Sequence, residues 1–212
     1  MILDISKAAR QICLKAPIIP VLVVENVADA VPLAKALIAG GLPVLEVTLR
    51  TDAALDVIRE MATCEGAIVG AGTLLSAEDF HAAKEAGAQF GVSPGITNTL
   101  IDVAKSTEMP LLPGASTASE VMSLLEAGFD MLKFFPAEAN GGVSSLKSLA
   151  SPLPNANFCP TGGVNTANVK DYLALPNVVC AGGSWMAPKA MIDNGEWDGI
   201  ENLAREAVAL AT

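Results

Sequence analysis

The chain has 212 residues, of which 51% are hydrophobic, 17% charged and only 4% aromatic, and its formal net charge is −10. Such a composition excludes a disordered chain and supports one domain whose large core is filled by Ala, Val, Leu and Gly rather than by rings. The acidic balance excludes a basic nucleic-acid footprint, and no apolar run reaches the roughly 18 residues of a membrane span, so neither nucleic acid nor membrane is an expected partner.

The first segment, MILDISKAARQICLKAP, carries Asp4 and lacks the basic-then-apolar layout of a signal peptide. It reads as an amphipathic helix over residues 1–16 that closes one end of the fold. Strand-like runs follow: IIPVLVV from Ile18, VLEVTL from Val44, AIVGAGT from Ala67, QFGVSP from Gln89 and PLLPGAS from Pro110. MLKFFP from Met131, ANFCPTGG from Ala156 and VVCAGGSW from Val178 complete the set. Helix-period segments such as DAVPLAKALIAGG, DAALDVIREMA and ASEVMSLLEAG lie between them. Thr51-Asp52, Ser76, Thr97-Asn98 and Thr117 are expected to start helices as N-caps, and Gly40, Gly87 and Gly128 to stop them.

Eight strand–helix units beginning roughly 21 to 26 residues apart, with no linker between them, predict a single (β/α)₈ TIM barrel over residues 1–212. A doubly wound open sheet is disfavoured, because no GxGxxG follows the first strand. Cys13, Cys64, Cys159 and Cys180 form no CxxC, which predicts reduced thiols in a cytoplasmic protein.

Within the eight strand runs only two residues are charged, Glu46 and Lys133. Side chains alternate along a barrel strand between the interior and the helices. Leu45, Val47 and Leu49 make one set on the second strand, and Val44, Glu46 and Thr48 the other. On the sixth, Leu132 and Phe134 face helices, leaving Met131, Lys133 and Phe135 inward. Both charges are therefore expected in the same barrel mouth. One reading is a structural ion pair, although such pairs are often no better than apolar replacements. The other is chemical. Burial weakens a lysine's hold on its proton, the free amine condenses with a carbonyl to an imine, and a neighbouring glutamate shuttles protons.

Around this pair the residues alone leave roles open. Arg50 offers a guanidinium fork to a carboxylate or is a solvated charge. Thr73 is a rim hydroxyl or a cap, and Phe135 is wall or packing. TGGV at 161–164 and GGS at 182–184 follow the seventh and eighth strands, the quadrant where glycine-rich loops bind phosphate. His81 is expected on an exposed helix face, Cys159 as a small buried residue, and Glu138 and Asn140 in solvent. No Cys/His cluster has metal-ligand spacing.

Two segments, GLPVLEVTLR (41–50) and GFDMLKFFPAEANGG (128–142), closely resemble the stretches around the catalytic glutamate and the Schiff-base lysine of the KDPG aldolase family (2-dehydro-3-deoxy-phosphogluconate aldolase/4-hydroxy-2-oxoglutarate aldolase). GAGT at 70–73, SPG at 93–95, FCPTGG at 158–163 and GGSW at 182–185 extend the resemblance along the chain. It implies a metal-independent, cofactor-free lyase that cleaves a phosphorylated keto acid to pyruvate and glyceraldehyde 3-phosphate, and that acts on 4-hydroxy-2-oxoglutarate as well. By that resemblance Lys133 forms the imine and Glu46 moves protons. Arg50 and Thr73 bind the carboxylate, while Thr161, Phe135 and Pro94 line the pocket. Gly162, Gly163, Gly183 and Ser184 hold the phosphate. A homotrimer and a place in the Entner–Doudoroff pathway are implied too. A sister aldolase for the galactonate epimer or for unphosphorylated keto acids is the alternative, and a non-catalytic sugar-phosphate-binding barrel is disfavoured by the presence of both charges.

Overall fold

A computed structural model describes residues 2–210 and shows an α/β fold in which a curled parallel sheet is flanked by helices. The strands are β1 Ile18–Leu22, β2 Val44–Thr48, β3 Ile68–Gly72, β4 Phe90–Val92, β5 Leu111–Leu112, β6 Gly114–Ala115, β7 Met131–Phe134, β8 Asn157–Pro160 and β9 Ala181–Gly183. The helices are α1 Ile2–Cys13, α2 Ala30–Ala39, α3 Ala54–Ala62, α4 Ala77–Glu85, α5 Asn98–Thr107, α6 Ala118–Glu126, α7 Gly142–Ala150, α8 Val169–Leu173, α9 Lys189–Asp193 and α10 Trp197–Leu210.

Six strands pair in the order β5-β4-β3-β2-β1-β9 and three in the order β6-β7-β8. The division falls inside the fifth predicted strand, which is two half-strands separated by Pro113. Leu111 pairs with Gly91 on β4, whereas Gly114 pairs with Lys133 on β7. A proline cannot donate to a ladder, but its carbonyl still can accept, and Pro113 O takes the Lys133 N–H at 2.8 Å. The eighth predicted strand is also shorter than expected, with regular pairing only from Ala181. Isolated bridges Phe158↔Val178 and Thr161↔Gly182 join β8 to the chain entering and forming β9.

Helix α1 lies against the starts of the strands. Buried Ser6 donates through Oγ to Asp130 Oδ1 at 2.6 Å and accepts the Asp130 N–H at 3.0 Å, just before β7 begins. Three of the four predicted caps hold: the hydroxyls of Ser76, Thr97 and Thr117 accept N–H bonds from Asp79, Leu100 and Glu120. Thr51 does not cap α3; its hydroxyl donates instead to Val24 O at 2.7 Å, tying the loop after β2 to the chain after β1. Gly87 and Gly128 adopt the left-handed conformation expected of helix stops, with φ of 97° and 94°. Gly40 does not, and the stop after α2 is Gly41 at φ 93°. Gly40 is needed for contact: a Cβ there would overlap Ala204 Cβ and lie 2.7 Å from Glu201 O on α10.

Gly40→Ala should therefore lower the unfolding free energy by about 1–3 kcal/mol through overpacking. Gly95→Ala, where a Cβ meets nothing within 4 Å, should stay within about 0.5 kcal/mol of the parent in urea denaturation. A second expectation concerns Glu120, whose carboxylate accepts N–H bonds from Ser116 and Thr117 at 2.8 and 2.9 Å. The Ser116 N–H, more than any other contact, holds its pKa below the usual 4.5. A lowered carboxylate pKa contributes stability that is fully present above 4.5 and lost as pH falls through the folded value. The stability gap between wild type and Glu120→Ala should thus be flat at neutral pH and close on acidification below 4.5, as followed by thermal melts.

Candidate active site

Strand alternation places both charges as expected. Lys133 Nζ donates to Glu46 Oε1 at 3.0 Å, and the two residues are 5% and 3% exposed. β2 belongs to the six-stranded set and β7 to the three-stranded one, so this bond crosses the interior between strands that do not pair. Little water screens it.

The neighbours of each charge make room for it. A Cβ on Gly72 would overlap Glu46 Oε1 and come within 2.8 Å of Cγ, so the glycine ending β3 is the space the carboxylate occupies. Beside Lys133 the register partners are Gly114 and Cys159. A Cβ on Gly114 would overlap Pro94 O, which brings the Pro94 loop onto the strand adjoining the lysine. The Phe135 ring centroid stands 5.2 Å from Nζ, a cation–π distance.

Arg50 is exposed at the end of β2, where its Nε donates to Thr48 Oγ1 at 3.0 Å. The Thr48 hydroxyl in turn donates to Leu22 O at 2.9 Å. Thr48, to which sequence reasoning gave no role, therefore anchors the guanidinium to β1. Its inward parity and its place two residues before Arg50 were the available signals. Thr73 follows β3 with φ 65°, a sparsely populated conformation for a β-branched residue and a local strain of the kind that clusters at functional sites.

Thr161 is buried at the end of β8, with Oγ1 3.9 Å from Cys159 Sγ. Gly162 and Gly163 turn out of the strand with φ 97° and 82°. Gly183, predicted in a loop, is the last residue of β9; its missing Cβ is space for the Trp185 ring. Ser184 follows, exposed. Glu138 is not simply solvated, since its carboxylate accepts a hydrogen bond from the Tyr172 hydroxyl. His81 is exposed on α4, and all four cysteines are free and buried. Contacts with the Cys13 and Cys159 thiols, reinforced by burial, push the Cys180 thiol well above its usual range.

The structure thus joins Lys133, Glu46 and Phe135 directly and reaches Pro94 through Gly114. Arg50, Gly163 and Ser184 sit exposed at the strand ends. A cavity of about 510 Å³ between α5 and α6 and one of about 440 Å³ beside Trp185 both lie away from the pair. The chemistry of the side chains, rather than the size of a hollow, marks the site. A buried amine and carboxylate at hydrogen-bond distance are equipped for nucleophilic addition to a carbonyl with local proton transfer. Among the described residues no group of three or more His, Cys, Asp or Glu side chains is placed to hold a metal ion, and no helix is long and apolar enough to cross a membrane.

If Gly72 exists to admit the Glu46 carboxylate, the two positions must couple. Gly72→Ala should cost about 1–3 kcal/mol in the wild-type background and clearly less beside Glu46→Ala. Additive costs in a double-mutant cycle, measured by denaturant unfolding, would refute the assignment.

Known proteins resemble this chain over nearly its whole length. Residues 9–203 match the family model for KDPG and KHG aldolase. The KHG/KDPG aldolase of Escherichia coli is 51% identical, with 95% of each chain covered. The 2-keto-3-deoxy-6-phosphogluconate aldolase of Zymomonas mobilis, crystallised with 3-phosphoglycerate, superposes with a TM-score of 0.93 at 47% identity over 97% of each chain. KDPG aldolase from Legionella pneumophila, with pyruvate captured as a covalent carbinolamine, gives 0.91 at 44% identity over 94% of this chain and 97% of that one. The chain belongs to the KDPG and KHG aldolase family.

Proposed function

We propose that this protein is a Schiff-base aldolase that cleaves 2-keto-3-deoxy-6-phosphogluconate to pyruvate and glyceraldehyde 3-phosphate. It also cleaves 4-hydroxy-2-oxoglutarate to pyruvate and glyoxylate, in keeping with the double name of the Escherichia coli relative. The observation that carries this reading is the buried Lys133–Glu46 pair. A carbinolamine such as the one captured in the Legionella enzyme needs an amine, and Lys133 is the one buried lysine among the described residues.

Lys133 gives up its proton and adds through Nζ to the C2 keto carbon, whose oxygen becomes the carbinolamine hydroxyl and then leaves as water. The resulting protonated imine is an electron sink. Glu46, directly or through a water, takes the proton of the C4 hydroxyl while the C3–C4 bond breaks and its electron pair flows into the imine. Glyceraldehyde 3-phosphate departs and leaves an enamine. C3 regains a proton, water hydrolyses the imine, and pyruvate and the free amine are released.

Arg50, held by Thr48, and Thr73 take the substrate carboxylate. Phe135, Pro94 and Thr161 form the pocket wall. Main-chain N–H groups at Gly162, Gly163 and Gly183, with the Ser184 hydroxyl, take the phosphate. A relative crystallised with 3-phosphoglycerate, which carries a carboxylate and a phosphate, supports a site with both anion cradles.

As the setting for this chemistry we propose one domain over residues 1–212, closed as a (β/α)₈ barrel. The bridges between β8 and the β9 segment support closure. The enzyme works as a homotrimer in the cytoplasm, in Entner–Doudoroff catabolism, and four free buried thiols accord with a reducing compartment.

Borohydride reduction in the presence of pyruvate should fix a pyruvyl adduct on Lys133, located by peptide mass spectrometry; an unmodified Lys133 would sink the mechanism. Glu46→Gln should still be trapped in this way while cleavage slows by about 10²-fold or more, as expected when an acid–base group is lost.

A further inference from the structure

The loop after β8 is tied to the loop after β7 by a side chain that the sequence suggested was idle. Ala137 N–H donates to Thr161 O at 2.8 Å and Glu138 N–H to Gly162 O at 3.0 Å, so the two loops run alongside each other. The Glu138 side chain then lies across Gly163. A Cβ on Gly163 would stand 2.6 Å from Glu138 Cγ, and one on Gly142 would stand 2.9 Å from Glu138 Oε1. The carboxylate ends on the hydroxyl of Tyr172, a fully buried residue of α8, the helix that follows the glycine loop.

A carboxylate beside a loop that receives a phosphate is unfavourable by charge alone, so its position calls for a cause. Its Oε1 is committed to the tyrosine rather than to the loop. Burial, with the hydrogen bond to Glu138 adding to it, raises the Tyr172 pKa, so the hydroxyl remains a donor throughout the neutral range. The acid is thereby a fastening point. It is held at its far end by the core and presses through its methylenes on Gly163.

We propose that Glu138 and Tyr172 are positioning residues whose hydrogen bond clamps the Gly162–Gly163 turn, keeping its N–H groups aimed at the substrate phosphate. The pair thereby sets the preference for phosphorylated over unphosphorylated keto acids. Neither residue touches the substrate; both act through the loop. This inference rests on the phosphate site proposed above.

Steady-state cleavage of 2-keto-3-deoxy-6-phosphogluconate and of 4-hydroxy-2-oxoglutarate by wild type, Tyr172→Phe, Glu138→Ala, Glu138→Gln and Ser184→Ala tests it. Should the unphosphorylated substrate turn over too slowly to measure, borohydride trapping of pyruvate replaces it as the unphosphorylated readout. Tyr172→Phe and Glu138→Ala should raise KM for the phosphorylated substrate about tenfold, the effect of one lost hydrogen bond to a charged group, with kcat kept. The unphosphorylated readout should not move. Glu138→Gln retains an oxygen that accepts from the tyrosine and should return KM to near the wild-type value.

Equal losses on both substrates would mean a merely structural role, and no loss on either would mean no role; each overturns the clamp. Ser184→Ala separates this outcome from failure of the phosphate site itself. If it raises KM for the phosphorylated substrate alone while the Tyr172 and Glu138 variants do not, the site stands and the clamp falls. If it affects neither substrate, the phosphate site falls and the clamp with it. Tyr172→Phe keeps the buried ring and Glu138 is exposed, so at least one variant should fold and decide the matter.

Discussion

The 3.0 Å hydrogen bond between Lys133 and Glu46 is the constraint around which the rest of the interior is arranged. Two opposite charges buried to 5% and 3% exposure must each give up hydration, and their attraction recovers that cost only with good geometry. An apolar pair of equal volume would hold β2 and β7 about as well. Removing one partner alone would leave a buried charge, at a cost of about 3–5 kcal/mol. Stability therefore does not explain why both are present, whereas an amine with a proton acceptor at hydrogen-bond distance does. The surrounding backbone is fitted to the pair, with glycine at position 72 beside the carboxylate and at position 114 beside the lysine strand.

The proposed place of the anion cradle accords with the charge distribution elsewhere in the fold. A chain of net charge −10 cannot attract a phosphorylated acid by its overall field, so local donors must do it. Helix N-termini are the usual source of such donors, but α4 and α6 have filled theirs with their own carboxylates. Asp79 Oδ2 accepts the N–H groups of Leu75 and Ser76 at 2.9 and 3.0 Å, and Glu120 Oε2 those of Ser116 and Thr117. Those loops carry negative charge where an anion would need positive potential. The ends of β8 and β9 have glycines and a serine there instead, which leaves that quadrant open to a phosphate.

Strand parity was legible in the sequence because it is local: two charges in eight apolar runs could face only one of two ways, and both faced inward. The helix caps at Ser76, Thr97 and Thr117 were legible for the same reason. What escaped depends on contacts across the chain. Thr51 has the composition of a cap, yet Val24, 27 residues earlier, claims its hydroxyl. Gly40 looks like a helix stop but answers to Ala204 on α10. PLLPGAS reads as one strand, and only the separate demands of β4 and β7 divide it at Pro113. Glu138 sits in a polar, glycine-flanked stretch that reads as solvent-facing, and its partner Tyr172 lies 34 residues on. Periodicity reports which face a residue occupies, not which distant group waits there.

Glycine illustrates the difference most clearly. From sequence, GAGT reads as the end of a strand with Thr73 at its rim, and TGGV and GGS as glycine-rich loops that bind phosphate. In the fold, Gly72, Gly163 and Gly182 are where another residue's side chain lies: the Glu46 carboxylate, the Glu138 methylenes and the Thr161 hydroxyl. A substituent at any of the three would displace one of these side chains. The glycines are thus complements of side chains on neighbouring strands and loops, and a curled parallel sheet suits this arrangement, since it brings neighbouring strand ends close together. The functional unit is a set of side chains together with the positions that omit one. Reading such a sequence for chemistry therefore requires asking, for each glycine near a strand end, which side chain across the sheet is using its space.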